Sequence, residues 1–204
     1  MSNFNIIKES EVEETFRVSS VMGRFDLQSS STKEVFAGSI DMPDEWSIGV
    51  IVGNSGTGKT TILNELFSDL KIKPIKHKKG RAVVDDMPKK RTVEEITKAF
   101  NSVGFSSPPS WIKPYKVLSN GEKMRVDLAR CLLSDKDRFI FDEFTSVVDR
   151  TVAKVGSLAV QKAVRKSGKQ FIAVGCHYDV IEWLQPDWIF DTNTMSFTVP
   201  EKKA

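Results

Sequence analysis

The feature that most constrains the fold of this chain is a glycine-rich run at residues 53–61, which directly follows a short apolar stretch. The run reads GNSGTGKTT and fits the pattern G-x-x-x-x-G-K-T. Glycines let a backbone wrap around an anion with its N–H groups pointing inward, and the start of a helix adds a favourable field. The pattern therefore predicts a buried strand at residues 46–52, a phosphate-binding loop and a helix at residues 59–70. A glycine-rich turn that matches by chance is the alternative.

Every residue of this loop is a candidate for contact with a nucleotide. In the pattern, the amine of Lys59 reaches the β- and γ-phosphates, and the hydroxyl of Thr60 ligates Mg²⁺. The remaining candidates surround the phosphates with backbone amides and side chains: Gly53, Asn54, Ser55, Gly56, Thr57, Gly58 and Thr61.

A second apolar run, FIFDE at residues 139–143, ends in two acids. Ligands bind at the carboxyl end of a parallel sheet, which is where Asp142 and Glu143 are predicted to lie. Asp142 would hold Mg²⁺ through its water shell, and Glu143 would orient or deprotonate an attacking water. Since neighbouring residues of a strand point to opposite faces, we expect separate tasks for the two acids. Ordinary surface acids are the alternative.

Strand and helix signals alternate through the chain, which is typical of an α/β fold with a mainly parallel core sheet. Apolar runs predict strands at 139–141 and 171–175 and a terminal hairpin at 188–199. Residues 16–27 contain several β-branched and aromatic side chains, and we expect them to be extended, in an N-terminal antiparallel β part. Capping residues followed by apolar residues at helical spacing predict three further helices: 92–103, 119–133 and 152–166.

The length of 204 residues fits a single compact domain, residues 1–204. Cys131 and Cys176 lie in apolar stretches without metal-type spacing, so reduced cysteines of a cytoplasmic protein are expected. The polar, acidic N-terminal residues lack the pattern of a signal peptide, so none is expected there. No window approaches the roughly 20 apolar residues that a membrane span needs, so we expect a soluble protein without direct membrane insertion.

Three further segments lead to a family. LSNGE at 118–122 resembles the signature motif LSGGQ, SVVD at 146–149 resembles a D-loop, and His177 follows an apolar strand as a switch histidine does. With the two motifs above, the chain resembles an ATP-binding-cassette (ABC) ATPase of the P-loop NTPase class over nearly its whole length. The family resemblance implies ATP and Mg²⁺ as cofactors and an ATP-dependent homodimer with shared active sites.

The same resemblance assigns roles to individual residues. It implies that Lys59, Glu143 and His177 are catalytic, with His177 contacting the γ-phosphate and the catalytic water. It implies that the signature residues contact the γ-phosphate held by the opposite subunit, and that Asp149 communicates across the dimer. The signature residues in question are Ser119, Asn120 and Gly121. A plain helix cap at Ser119 and a structural histidine at 177 are the alternatives.

Phe25 lies 34 residues before Lys59 and resembles the aromatic residue that stacks on adenine. An ordinary core phenylalanine is the alternative.

Three departures from the family pattern bear on function. Ser119 lies only 60 positions after Lys59, which predicts a reduced helical lobe at about residues 88–133. No glutamine lies between these two residues, so the Q-loop glutamine is missing. Asp85 or Asp86 falls near its place and could approach Mg²⁺. Phe144 stands where the family normally has proline.

One basic segment stands out in a chain with a formal net charge of +3. It begins at Lys71, ends at Arg91 and holds nine Lys or Arg against Asp85 and Asp86, a charge of +7 that leaves −4 on the remaining residues. Such a patch could bind DNA through its phosphates. A solvated charged lobe or an acidic protein partner is the alternative.

A second partner is implied by residues 176–188, which are similar to soluble cassettes joined to predicted acetyltransferase domains. The leading hypothesis is an ATPase that dimerises around ATP and acts as a switch or clamp on a macromolecule. The ATP-binding subunit of a transporter and a non-hydrolysing, ATP-dependent binding module are the alternatives.

Overall fold

The computed structural model describes residues 2–28, 30–70, 77 and 79–201. Backbone contacts divide the chain into two compact units, Met1–Asp41 and Met42–Ala204. No helix in the described residues is long and apolar enough to cross a membrane.

The N-terminal unit contains two antiparallel strands and one helix. Strand β1 (Ser2–Ser10) pairs with β2 (Thr32–Ile40) in a register that sets Phe4 opposite Gly38. Helix α1 (Phe16–Arg24) connects them, and the hydroxyl of Thr15 caps it by accepting from the N–H of Val18 at 3.3 Å.

The prediction of extended structure at residues 16–27 is therefore wrong. Val18, Val21 and Phe25 follow one another at steps of three and four residues, which is the spacing of one helix face. A threonine at the N-cap adds a further helix signal. Together these local signals outweigh the β propensity of the β-branched and aromatic residues, which depends strongly on context.

The C-terminal unit is built on a five-stranded sheet in the order β4-β5-β3-β6-β7. Four strands are parallel: β3 (Ile48–Val52), β4 (Arg138–Phe141), β5 (Gln170–Gly175) and β6 (Trp188–Asp191). The last strand, β7 (Ser196–Thr198), runs antiparallel to β6 and completes the predicted hairpin. The predicted α/β fold, with a mainly parallel sheet and an N-terminal antiparallel part, is confirmed.

Six helices accompany this sheet in the described residues. They are α2 (Lys59–Phe67), α3 (Val93–Ser102), α4 (Pro108–Trp111), α5 (Asn120–Leu133), α6 (Arg150–Ser167) and α7 (Asp179–Leu184). The four longest lie where capping and apolar spacing predict them. The short helices α4 and α7 are additions, and three short 3₁₀ turns complete the connections: Ser68–Leu70, Val83–Asp86 and Tyr115–Val117.

Aromatic side chains fill the space beside the central strands. Phe139 and Phe171, on neighbouring strands, are fully buried with ring centroids 5.2 Å apart. Phe144 packs edge-on against Phe171 at 5.6 Å. An added Cβ on Gly49 would lie 2.1 Å from the ring of Trp188, so glycine allows that indole to lie against β3. The packed core holds the ends of the strands in fixed positions.

Candidate nucleotide-binding site

Three predicted motifs leave the sheet at the same edge. Residues 53–61 follow β3, Asp142 and Glu143 follow β4, and His177 comes two residues after β5. These strands are parallel neighbours, with Val52 opposite Gly175 and Phe141 opposite Ala173. Their carboxyl ends therefore meet, and the edge they form is where α/β sheets bind ligands.

The glycine-rich loop turns through left-handed backbone conformations before α2 begins. Gly56 and Gly58 have φ angles of 85° and 84°, which only glycine adopts without strain. Gly58 is the N-cap of α2 and offers no side-chain bond to the first turn. The amides at the start of α2 are consequently left to other acceptors, as an anion site requires.

The amine of Lys59 lies inside this loop. Its Nζ donates to the carbonyl oxygens of Gly53 at 2.8 Å and Asn54 at 2.6 Å, and the residue is only 9% exposed. Thr60 follows on the exposed side of α2, with Thr61 half-buried beside it. Ser55, Gly56 and Asn54 are exposed. The loop thus presents a cation and a hydroxyl at the start of a helix.

The terminal hairpin supports the loop from the neighbouring strand. The N–H of Thr192 donates to the carbonyl of Val52 at 2.8 Å, and its hydroxyl lies 2.5 Å from the hydroxyl of Thr57. An added Cβ on Gly53 would lie 2.1 Å from Thr192 Oγ1. Thr192 is buried and belongs to the site, although the sequence marks it only as part of a turn.

The two acids lie in the turn after β4 and not on the strand itself. The strand ends at Phe141, so the expectation of opposite-facing side chains on a strand does not apply. Instead, Asp142 Oδ1 accepts a hydrogen bond from the N–H of Glu143 at 3.0 Å. Glu143 is exposed and adopts a left-handed φ of 54°. The turn thus leaves Glu143 open to water.

His177 is half-buried, and its Nδ1 lies 3.7 Å from Cys176 Sγ. The next residue, Tyr178, donates its hydroxyl hydrogen to Asp191 Oδ2 at 2.9 Å. Burial raises the pKa of Tyr178, and the hydrogen bond to Asp191 raises it further.

The predicted signature residues form the N-terminus of α5. Ser119 is the N-cap: Glu122 Oε2 accepts from its N–H at 2.9 Å, and its Oγ accepts from the N–H of Glu122 at 3.3 Å. The Ser119 N–H lowers the pKa of Glu122, which also accepts from Ser110 Oγ at 2.9 Å. Asn120 and Gly121 are the first two helical residues. The helix cap is thus present, and contact with a partner's nucleotide stays a prediction.

Asp149 caps α6 in a similar way, since its Oδ1 accepts from the N–H groups of Thr151 and Val152 at 3.0 Å each. The next residue, Arg150, forms a bidentate ion pair with Asp179, the first residue of α7. Sequence analysis missed Arg150. The sequence does show an arginine directly after the D-loop and an acid, Asp179, two residues after His177. Those two positions are the signal from which this ion pair could have been predicted.

Phe25 belongs to the N-terminal unit, where it ends α1 and is 65% exposed. An exposed ring does not fit the alternative of a core phenylalanine, and adenine stacking stays a prediction.

The basic segment is only partly described, because residues 71–76 and 78 lie outside the described residues. Asp86 is not available for Mg²⁺: it binds Arg81 Nε at 3.0 Å and His77 Nδ1 at 2.6 Å with a side chain only 4% exposed. Asp85 is exposed on the same short turn. Lys89 and Lys90 are also exposed.

Within the described part of the chain, no cluster of three or more His, Cys, Asp or Glu side chains could hold a metal ion by itself. The residues nevertheless fit Mg²⁺ of the kind that nucleotides carry. Such Mg²⁺ keeps several waters and uses phosphate oxygens with one or two protein ligands. The hydroxyl of Thr60 and the carboxylate of Asp142 have the oxygen chemistry that these positions need.

No family model matches this chain. Among curated proteins, 75 residues are 37% identical to the ABC multidrug transporter atrD of Emericella nidulans, a match that covers 37% of this chain and 5% of atrD. The ribosome protection protein VmlR of Bacillus subtilis (strain 168) is 27% identical over 118 residues, which cover 48% of this chain and 21% of VmlR. The chain thus spans a small part of the length of the curated relatives it matches.

A solved structure extends the likeness to most of the chain. The dimeric bacterial ABC transporter cassette MJ0796 matches with a TM-score of 0.58 and 15% identity, over 78% of this chain and 87% of that chain. The same cassette in a post-hydrolysis state with ADP and Pi also matches with a TM-score of 0.58. At such identity a structural match establishes architecture alone. This chain has the fold of an ATP-binding cassette.

Proposed function

We propose that this chain is a P-loop ATPase that binds ATP with Mg²⁺ and hydrolyses it. One observation carries the proposal: a lysine-bearing phosphate loop, an exposed glutamate and a histidine meet at the carboxyl ends of the adjacent parallel strands β3, β4 and β5. Together they supply an anion-binding loop, a general base that can accept a proton from water, and a histidine, all at one edge of the sheet.

Each side chain has a defined task in this proposal. The amine of Lys59 exchanges the carbonyl oxygens of Gly53 and Asn54 for phosphate oxygens and balances the charge that develops there. Glu143, exposed in its turn, orients water and accepts its proton. His177 holds the γ-phosphate. Thr60 and Asp142 would hold Mg²⁺, which would supply positive charge against that of the phosphates.

We further propose that two copies enclose two ATP molecules head to tail. Ser119, Asn120 and Gly121 would then face the γ-phosphate bound to the other copy, since they open a helix whose first amides favour an anion. Asp149 would lie at the same interface, and Phe25 would stack on adenine. The dimer that MJ0796 forms supports this arrangement.

The Glu143→Gln variant tests the proposal. It removes the base but keeps a side chain of the same shape, so it should bind ATP, hydrolyse poorly and accumulate as a dimer in gel filtration. We expect the wild-type protein to hydrolyse ATP in a Mg²⁺-dependent manner. The variant should show little or none of this hydrolysis. A protein that stays monomeric with ATP in both forms would contradict the shared site.

The ATPase cycle is proposed to act as a switch or clamp on a macromolecule in the cytoplasm. DNA is the leading candidate, bound through the basic segment from Lys71 to Arg91, in which Lys79, Lys89 and Lys90 are described and exposed. Binding should weaken steeply as salt rises, and Lys89→Ala with Lys90→Ala should reduce the salt slope by about two. Lys154→Ala on α6 is a matched exposed control. A salt-independent response would favour a protein partner, with an acetyltransferase-domain protein tested next.

The ATP-binding subunit of a transporter is the second candidate, and the names of atrD and MJ0796 favour it. Against it stand the missing glutamine and the step of only 60 positions from Lys59 to Ser119. We propose that this short step reflects a reduced helical lobe, at about residues 88–133 of a single cassette domain, 1–204. The name of VmlR shows that not every matching protein is called a transporter. Co-purification with membrane proteins from the native host would favour the transporter subunit over the switch.

A further inference from the structure

Four hydrogen bonds join the phosphate-binding loop to the residue that follows His177. The N–H of Asn54 donates to Asn193 Oδ1 at 3.0 Å, and Asn193 Nδ2 donates to the hydroxyl of Tyr178 at 2.7 Å. Asp191 completes the set: its Oδ1 accepts from the N–H of Asn193 at 2.8 Å and its Oδ2 from the Tyr178 hydroxyl at 2.9 Å. The terminal hairpin thus connects the segments after β3 and β5.

These bonds add little to the hydrophobic core. Tyr178 is 42% exposed, and Asn54 and Asn193 are exposed as well. A hydrogen bond between exposed groups exchanges for bonds to water and contributes little net stability. What the network does fix is geometry, because the side chains of Asn193 and Tyr178 form their hydrogen bonds with other segments of the chain.

The amide of Asn193 is suited to this link in a way that other short side chains are not. Its oxygen accepts from the loop and its nitrogen donates to Tyr178, so one side chain satisfies a donor and an acceptor at once. The Tyr178 hydroxyl likewise accepts from Asn193 and donates to Asp191. Loss of the Tyr178 hydroxyl removes both of its bonds to the hairpin, and loss of the Asn193 amide removes the bond from the loop together with one bond to Tyr178.

We propose that Asn193 and Tyr178 are positioning residues that hold His177 in register with the phosphate-binding loop. They touch neither phosphate nor water in the reaction; they fix the segment that carries His177 relative to the loop that carries Lys59. The inference rests on the proposed ATPase function. It predicts that loss of the link slows the chemical step while nucleotide binding is retained, because displacement by about 1 Å at a reacting centre costs up to 100-fold in rate.

Tyr178→Phe and Asn193→Ala are the direct tests, measured by ATP turnover, ATP affinity and thermal unfolding. Each should lower kcat about 10-fold or more, with KM and the Kd for ATP changed less than about 3-fold. The double variant should be no slower than the slower single variant, since both break one link. Asn193→Asp keeps the acceptor for Asn54 but loses the donor to Tyr178, so it should also be slow.

Two controls separate positioning from general damage. Ser196→Ala removes a hydroxyl that pairs with Thr194 in the same hairpin, at 2.6 Å, and should leave kcat unchanged. In a His177→Ala background, Tyr178→Phe should have no further effect on kcat, which a purely structural role would not produce.

The outcomes are distinct. Wild-type protein without ATP turnover overturns the ATPase proposal and this inference together. Active wild-type protein with unchanged kcat in Tyr178→Phe and Asn193→Ala overturns this inference alone. A slow Tyr178→Phe that remains equally harmful in the His177→Ala background also overturns it. If Asn193→Ala unfolds, Tyr178→Phe, which keeps its ring, decides the matter.

Discussion

The backbone N–H of Phe144 donates a hydrogen bond of 2.7 Å to the carbonyl oxygen of Val174. Phe144 directly follows Glu143, and Val174 lies three residues before His177 on β5. Proline, which the resembled family normally has at the position of Phe144, lacks the N–H for such a bond. The bond and the buried Phe144 ring therefore tie the turn of Glu143 to β5, the strand that precedes His177.

Phe144→Pro should reduce ATP turnover more than it reduces ATP binding. The substitution removes the N–H and the ring together, and loss of a buried phenylalanine side chain typically costs about 3–5 kcal/mol. Phe144→Leu is the matched variant, since it keeps the N–H and most of the apolar volume. In urea, Phe144→Leu should lose less unfolding free energy than Phe144→Pro. ATP turnover should survive in Phe144→Leu but not in Phe144→Pro. Equal turnover in the two variants would show that the bond to Val174 has no role in placing Glu143.

Thr192→Val should destabilise the phosphate-binding loop. The change is nearly isosteric, but it removes the hydroxyl that lies 2.5 Å from Thr57 Oγ1 in a buried position. Loss of a buried hydrogen bond costs about 1–2 kcal/mol in unfolding free energy. Thr194→Val, two residues along the same hairpin, is the exposed control and should cost far less. Urea denaturation with equal midpoints for the two variants would contradict the supporting role of Thr192.

The phosphate-binding loop and most helices and strands of the C-terminal unit could be predicted because their sequence signals are local. The phosphate loop, the capping boxes at Thr92 and Ser119 and the stop at Gly168 each depend on residues within a few positions of one another. Such short-range signals define where helices begin and end without knowledge of the rest of the chain. The strands after which the motifs lie were equally clear from continuous apolar runs.

The missed features depend on residues distant in sequence. Asn193 contacts Asn54 across 139 positions and Thr192 contacts Thr57 across 135, so nothing near either residue marks it as part of the site. Strand β1 is polar along most of its length and is specified by pairing with β2. Helix α1 is the exception, since its departure from the predicted extended structure has a local cause: the N-cap and the helical spacing outweigh the β propensity of its β-branched residues. The turn that places Glu143 depends on Val174, on another strand.

Acid should destabilise the protein through its two capping boxes. The N–H of Thr92 lowers the pKa of Glu95, and the N–H of Ser119 lowers the pKa of Glu122, both from 4.5. A carboxyl whose native pKa is depressed contributes stability that is fully present above its unfolded pKa and lost as pH falls through the lower native value. Urea unfolding free energies should therefore decline below about pH 4.5.

Glu122→Gln isolates this effect at the predicted signature helix. The amide oxygen of glutamine can still accept from the Ser119 N–H, so the cap persists, but it does not titrate in this range. We expect a flatter decline below about pH 4.5 for the variant than for wild type. Parallel curves would mean that Glu122 does not contribute to acid sensitivity.

Arg150→Met should slow hydrolysis by freeing two segments of the site. Arg150 Nε donates to Asp179 Oδ2 at 2.9 Å and its Nη1 to Thr145 Oγ1 at 3.4 Å, and its guanidinium lies 5.1 Å from the Trp183 ring centroid. It therefore joins the turn after Glu143 to the helix after His177. Methionine keeps the apolar stem and loses these bonds. Lysine should restore little, because it cannot form the planar bidentate pair.

Arg165→Met is the matched control for this prediction. Arg165 lies near the other end of α6, pairs with Asp187 at 3.2 Å and has a similarly half-exposed side chain. Each exchange should cost about 1 kcal/mol or less in unfolding free energy, as partly exposed ion pairs do. Only Arg150→Met should lower kcat, since Asp187 precedes β6 and lies at the amino end of that strand, away from the carboxyl-end motifs. A similar loss of turnover in both variants would mean that stability, and not the placement of Thr145 and Asp179, accounts for the effect.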